Sequence, residues 1–449
     1  MNRWNIFFNS FRLLIFYLQK FFNTSCYYKI LIINYYKKIL FISIFIVIGY
    51  LIVHIYLLVS YNKLQRIKII KNYDVYNNET DYIYLNSDLR FMALKKTLSD
   101  IENIRIKIKK LNSDMQVYNP TFVSVDQITI VIVIQVHNRI EYLAEVINSL
   151  MTVRGITRAF IVFSHDYYDE DINEMIRSID FTSSMQIFYP YNKQMHPGTY
   201  PGEDSKYCSK DWKCVSAKGL RNATLAQVKL HWWFKINYVF NNIAVLENYR
   251  GLVMFLEDDQ YFTEDLIHTA KFLEGIMAYE CPECSMLSVG AERPQLYNYH
   301  PTENVMTIEE FGTTPYNMGI AFNRSTWNMI WMHGNKFCHF NDYSWTSSMR
   351  YLSRHLPDGK MYMFSIAGPR VFHIGKCGLQ NPGTKCDVTQ KLDFLKKFFK
   401  LIKHSLFPKG YVMRNSWHRK MDIVERGNFS DVRDQDLCAY FSRNIKSAV

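Results

Sequence analysis

Before residue 61 the chain contains no aspartate or glutamate, and from Ile39 to Tyr61 it carries no permanently charged side chain of either sign. At about 1.5 Å per helical residue, that stretch (ILFISIFIVIGYLIVHIYLLVSY) is long enough to cross a hydrocarbon core of ~30 Å with some tilt. No small-residue cleavage site follows a short apolar core, which excludes a removable signal peptide. Residues 39–61 therefore read as a transmembrane signal-anchor helix. The acid-free tail, 1–38, holds Arg3, Arg12, Lys20, Lys29, Lys37 and Lys38, so it is expected on the cytoplasmic side of a single-pass type II membrane protein. Trp4 to Phe22 is apolar too, but Arg12 and Lys20 interrupt it, as suits an interfacial helix.

Also missing is any basic stripe with interleaved stacking aromatics. The formal charge of +12 pools in the tail, in Asn62 to Lys110 and in Lys391 to Lys420, so nucleic acid is not an expected partner. A content of 48% hydrophobic and 16% aromatic residues excludes a disordered chain and supplies a large core. Residues 62–120 are polar and basic, with a brief a/d rhythm at Leu94, Ile101, Ile104, Ile108 and Leu111. That is too few heptads for a coiled coil, so the segment reads as a lumenal stem, with homodimer formation through it left open.

One cysteine, Cys26, precedes the span; eight follow it (Cys208, Cys214, Cys281, Cys284, Cys338, Cys377, Cys386 and Cys438), an even number suited to disulfides in an oxidising lumen. Cys281-Pro-Glu-Cys284 has no second pair at zinc-ligand spacing, which disfavours a zinc knuckle. Sequons stand at Asn78, Asn222, Asn323 and Asn428.

From residue 121 to 449 strands and helices alternate. The strands are Ile128–Gln135, Ala159–Ser164, Met185–Tyr189 and Leu252–Leu256; a long helix runs from about Asn222 to Glu247; Thr263 looks like an N-cap with Glu264 and Asp265 in the first helical turn. This order predicts an α/β fold with a Rossmann-like, mostly parallel sheet that binds ligands at the carboxyl ends of its strands.

Glu257, Asp258 and Asp259 stand at such an end. Three close carboxylates repel unless a cation neutralises them, and oxygen ligands suit Mg²⁺ or Mn²⁺. The alternative, acids serving a helix dipole, fits Glu264 and Asp265 better. Gln135, His137, Asn138, Arg139 and Asp166 gather polar groups at neighbouring strand ends. Gln227 and His231 share one helix face, with Lys235 a turn on. Pattern alone leaves each of these open to a capping or surface role, and Trp232, Trp233 and Phe234 read as core.

The stretches QVHNRIEYL, FSHD, QVKLHWWFK, FLEDDQY, ECPEC, NMGIAF, FHIGKCG and DVRDQDLC occur in this order from Gln135 to Cys438. They resemble the α-1,6-mannosyl-glycoprotein 2-β-N-acetylglucosaminyltransferase family, also called N-acetylglucosaminyltransferase II. The resemblance implies a GT-A catalytic domain on the Golgi membrane. Its activity would be transfer of N-acetylglucosamine from UDP-GlcNAc to O2 of the α1,6-arm mannose of N-glycans on glycoproteins, with inversion and with Mn²⁺. It places donor contacts at Gln135, Val136, His137, Asn138 and Arg139, at Asp166, and at Gln227, Val228, Lys229, Leu230 and His231, with Arg293 near the diphosphate. Asp259 and His373 become the metal ligands. The family's disulfides would pair Cys208 with Cys214, Cys281 with Cys284, Cys338 with Cys438 and Cys377 with Cys386.

What the chain lacks relative to that family is the catalytic base. The family has an aspartate directly after the tryptophan matching Trp345; here the position is Thr346. A threonine hydroxyl is no base at neutral pH without an activating partner. Asp342 is the candidate substitute, with a turn or N-cap aspartate as its plain alternative. A paralogue that binds UDP-sugar or glycan but transfers weakly is the second functional expectation.

Overall fold

The computed structural model describes residues 79–122, 127–203, 215–216, 219–291, 299–312, 317–357, 359, 361–375, 387–414 and 427–443. The expected tail, the span and residues 62–78 of the stem lie outside these, as do Arg293, Cys208, Cys214, Cys377 and Cys386. Among the described residues no helix is long and apolar enough to cross a membrane. The chain forms two compact units, Met1–Leu94 and Lys95–Val449. In the first, the described residues are the opening turns of helix α1 (Glu79–Asp114); everything below concerns the second.

Its strands are β1 (Val117–Tyr118), β2 (Ile130–Val136), β3 (Ala159–His165), β4 (Ser183–Phe188), β5 (Val215–Ser216), β6 (Gly219–Leu220), β7 (Val253–Glu257), β8 (Gln260–Phe262), β9 (Cys284–Gly290), β10 (Val305–Glu310), β11 (Met318–Phe322), β12 (Tyr362–Ile366), β13 (Val371–His373) and β14 (Val412–Arg414). The remaining helices are α2 (Ile140–Thr152), α3 (Glu170–Arg177), α4 (Ala223–Asn241), α5 (Leu266–Glu280), α6 (Arg324–Met332), α7 (Gly334–His339), α8 (Trp345–Arg354), α9 (Thr389–Leu401) and α10 (Val432–Arg443).

The β-branched runs form strands buried on both faces, and the period of two sorts their side chains. Val131, Val133, Val162 and Phe255 join the core that contains α4, whereas Ile130, Ile132, Ile161 and Met254 join the core that contains α2 and α5. The order β4-β3-β2-β7 is parallel throughout, as expected. Beyond β7 the expectation of a mostly parallel sheet fails. Antiparallel β11 inserts between β7 and β9, β10 runs antiparallel to β12, and the sheet is mixed. A strand buried on both faces has the same apolar sequence in either direction, so its orientation is not written in composition. Where β9, β11 and β13 meet, Gly319 has φ +60°, and a Cβ there would stand 2.7 Å from Val289 Cγ2. That close approach admits only glycine.

The boundary drawn at residue 120 does not coincide with a break in packing. Ile108 is buried against Tyr168, Phe188 and Met195, the Asn112 side chain pairs with both main-chain groups of Phe188 at 2.8 Å, and β1 extends the sheet edge at β4. Two of the four implied disulfides fall on described residues, Cys281–Cys284 and Cys338–Cys438, and both are formed.

Candidate active site

Strand β7 delivers the acids. Asp258 N donates to Gln135 O at 3.0 Å, and its carboxylate accepts from His137 N at 2.9 Å and from Arg139. Asp259 Oδ2 accepts from Arg139 Nη1 at 2.9 Å and lies 3.4 Å from His373 Nε2, while Asp259 O takes the Ile374 N–H at 2.8 Å. Asp259 Oδ1 is buried with no hydrogen-bond partner. A Cβ on Gly375 would sit 2.7 Å from Asp259 Oδ2 and 3.0 Å from His373 Nε2, so glycine keeps the space around this pair clear.

Arg139, expected to touch the donor, bridges two of the acids. Lys235 donates to Gln135 Oε1 at 2.7 Å and faces Glu257. Burial pushes the Glu257 and Asp258 carboxyls above their ordinary range and Lys235 down to about 8. Asp259 goes the other way: burial opposes its charge, but bonds to His373 and Arg139 outweigh it, and the same bond raises His373.

A second group gathers on Asp166, just past β3. It accepts from His137 Nδ1 at 2.5 Å and Gln227 Nε2 at 3.1 Å and lies 3.7 Å from His231 Nδ1. Burial opposes its ionisation, yet His137 and His231 hold its carboxyl well below the usual range, and His137 is raised in return. Ser164 Oγ sits 2.8 Å from His231 Nε2. Ser164, His231 and Asp166 are all buried, so this is a structural relay and not a solvent-facing nucleophile.

The helical period sorts the 227–231 stretch. Gln227 and His231 face Asp166, whereas Lys229 and Leu230 point into the interior and Val228 is half-buried. Lys229 Nζ donates at 2.9 Å to both Phe340 O and Asp342 O and lies 3.7 Å over the Phe429 ring. It pins the loop before α8; it does not line a ligand site. Val136 is buried within β2, and Asn138 is exposed at the turn after it.

Asp342 is likewise 3% exposed. Its Oδ1 accepts from Ser344 N at 2.8 Å, a turn that hands on to Ser344, whose hydroxyl caps α8. The plain alternative describes Asp342 as it stands, in place of a substitute base. Trp345 stacks on Trp232 at 4.3 Å between ring centroids. Between them and the acids lies a small cavity lined by Trp232, Lys235, Glu257, Asn317, Trp345 and Met349 among others. Neither this cavity nor the inward turn of Lys229 is visible in the sequence, since both depend on how α4 and α8 meet.

Asp265 also departs from expectation. It is fully buried and ion-paired to Arg370 at 2.8 Å, and α5 begins one residue later without a side-chain cap.

A model of the N-acetylglucosaminyltransferase II (MGAT2) family matches residues 105–438. The chain belongs to that family. Rat α-1,6-mannosyl-glycoprotein 2-β-N-acetylglucosaminyltransferase is 31% identical over 330 residues, covering 70% of this chain and 74% of the rat protein. The pig protein of the same name is 28% identical over 365 residues, covering 77% and 81%. Among solved structures, S. aureus TarS 1–349 in complex with UDP-GlcNAc aligns over 70% of this chain and 71% of that one at 10% identity with a TM-score of 0.30, too slight a likeness to carry an argument. Family membership makes the chain a glycosyltransferase acting between a sugar-nucleotide donor and a glycan acceptor.

Proposed function

We propose that the chain is a type II GT-A enzyme with its catalytic body in the Golgi lumen. It moves N-acetylglucosamine from UDP-GlcNAc to O2 of the α1,6-arm mannose of an N-glycan, with inversion. The observation that carries this is Asp259: a buried carboxylate at a strand's carboxyl end with one oxygen unpartnered and His373 beside the other. Those two side chains fit an ion that accepts oxygen and nitrogen ligands, such as Mn²⁺. Among the described residues no third His, Cys, Asp or Glu completes a metal cluster, so further ligands would come from the donor's phosphates and water. When bound, the ion supplies positive charge to the departing diphosphate.

The chain's own residues do the rest. Asp166, fixed by His137 and Gln227, offers a carboxylate to ribose or base. Arg139 carries the cation nearest the acids and balances them until a donor binds. The half-buried ring of Trp345, backed by Trp232, gives the acceptor sugar a face to stack on near Glu257. Detergent-solubilised full-length protein, given UDP-GlcNAc, Mn²⁺ and an N-glycan already bearing GlcNAc on its α1,3 arm, should yield a product heavier by one N-acetylhexosamine. No such product, with donor binding intact, would reject transfer.

A second reading has its own observation. Thr346 occupies the family base position in the first turn of α8, and Asp342 is spent on its turn. A weak transferase that retains donor binding fits those two facts.

A further inference from the structure

Three sequons fall on described residues, and each asparagine already serves the backbone. Asn222 Oδ1 accepts from Leu225 N at 3.0 Å and caps α4, and Asn323 Oδ1 accepts from Thr326 N at 3.1 Å and caps α6. Asn428 takes the left-handed conformation with φ +79°. They differ in what is left over. Asn323 is half-buried, and the residue after it, Arg324, is spent on the carbonyls of Phe240, Leu246 and Tyr249. Asn428 is followed by the fully buried Phe429, which lies under the Lys229 ammonium. Asn222 is exposed, its backbone is extended (φ −104°, ψ 99°), and the cap uses only its amide oxygen.

We propose that Asn222 carries an N-linked glycan, an inference that rests on the lumenal reading above. In the reaction, Asn222 Nδ2 bonds to the anomeric carbon of a polyprenyl-pyrophosphate-linked oligosaccharide. The carbon–oxygen bond to pyrophosphate breaks, Nδ2 gives up one proton, and the polyprenyl pyrophosphate leaves. The amide oxygen survives this chemistry, so the α4 cap and the glycan are compatible on one side chain. Asn222 N donates to Tyr343 Oη at 2.8 Å, which roots the glycan beside the loop that leads into Trp345 and Thr346.

The test uses the full-length chain made in a glycosylating eukaryotic cell. Peptide-N-glycosidase converts each occupied asparagine to aspartate, and peptide mass spectrometry reads which ones change. Conversion is expected at Asn222. Asn222→Asp, which breaks the sequon and keeps the cap, should remove one glycan with no change in melting temperature; Thr224→Ala should remove it too while giving up the bond Thr224 Oγ1 accepts from Lys193 Nζ at 2.6 Å, and Asn222→Gln should lose both glycan and cap. An unconverted Asn222 overturns the inference. If other sequons are converted in that digest, only this inference falls; if none is, the lumenal reading falls with it.

Discussion

Two aspartates six residues apart, Asp259 and Asp265, are both buried, and they do opposite things. Asp265 uses every oxygen: Oδ2 accepts from Arg370 Nε, Thr269 Oγ1 and Phe407 N at 2.8–2.9 Å, and Oδ1 accepts from Thr263 Oγ1 at 2.7 Å. Arg370 continues the net to Tyr299 Oη and Gly368 O. Asp259 has one oxygen shared between Arg139 and His373 and the other with nothing. A buried charge that is fully paired locks elements together; one left partly unpaired costs stability, and at a strand's carboxyl end that cost is the mark of a ligand site.

The largest expected effect is on activity. Asp259→Ala should cut transfer by roughly 10³-fold, the scale lost when a transition-state charge partner is removed. Its urea midpoint should fall by less than that of Asp265→Ala, because only one Asp259 oxygen is engaged whereas Asp265 uses both. A variant that kept transfer, or unfolded instead, would erase the contrast with Asp265.

Next comes Asp265→Ala, which strands Arg370 in the core and should cost about 3–5 kcal/mol in urea unfolding. Transfer per folded molecule should survive. Burial opposes the charge on Asp265, but Arg370 and its hydrogen bonds hold its pKa below the ordinary value. The stability it provides is therefore present above the unfolded carboxylate range and lost as pH falls through the folded pKa.

How legible was this in the sequence? Strand and helix alternation named the parallel half of the sheet, because buried β-branched runs and amphipathic helices have periods of their own. It did not give the direction of β11, which no apolar pattern encodes. The acid triplet and its position were readable, and so was the shared face of Gln227 and His231. The partners were not: Arg139 and Asp259 are 120 positions apart, Lys229 and Asp342 113, and such pairings are products of the finished fold. Asp265 misled for the same reason, since a helix-start acid and a core acid look alike until Arg370 is placed.

Third in size is Thr346→Asp. A positioned general base contributes about 10²–10⁴-fold, so restoring a carboxylate there should raise transfer by roughly 10²-fold if the proton step limits the native chain. Product formation by mass spectrometry at saturating donor reads it. Unchanged turnover would mean that another group already takes the proton, and would remove the observation behind the second reading.

His165 tests whether an unpartnered buried group marks a site wherever it occurs. It is wholly buried, stacked on Phe188 with centroids 4.5 Å apart, and neither ring nitrogen finds a well-aligned partner, and the acid beside it is Asp166, not the 257–259 cluster. Burial, with His231 adding to it, drives its pKa down to about 3. In the fold His165 stays neutral, whereas the unfolded chain takes up a proton below about pH 6.5. Stability on its account is therefore intact above that pH and drains away as pH falls toward 3. His165→Phe should raise unfolding stability by about 2 kcal/mol at pH 5, from 1.36 kcal/mol per pKa unit over about 1.5 units, beyond whatever it does at pH 7.5. Urea midpoints of both proteins at the two pH values read this difference. Equal gains at both would mean that His165 is protonated in the fold. A loss of transfer at pH 7.5 would mean that the orphaned nitrogens belong to the site after all, and that a lack of partners is enough to find one.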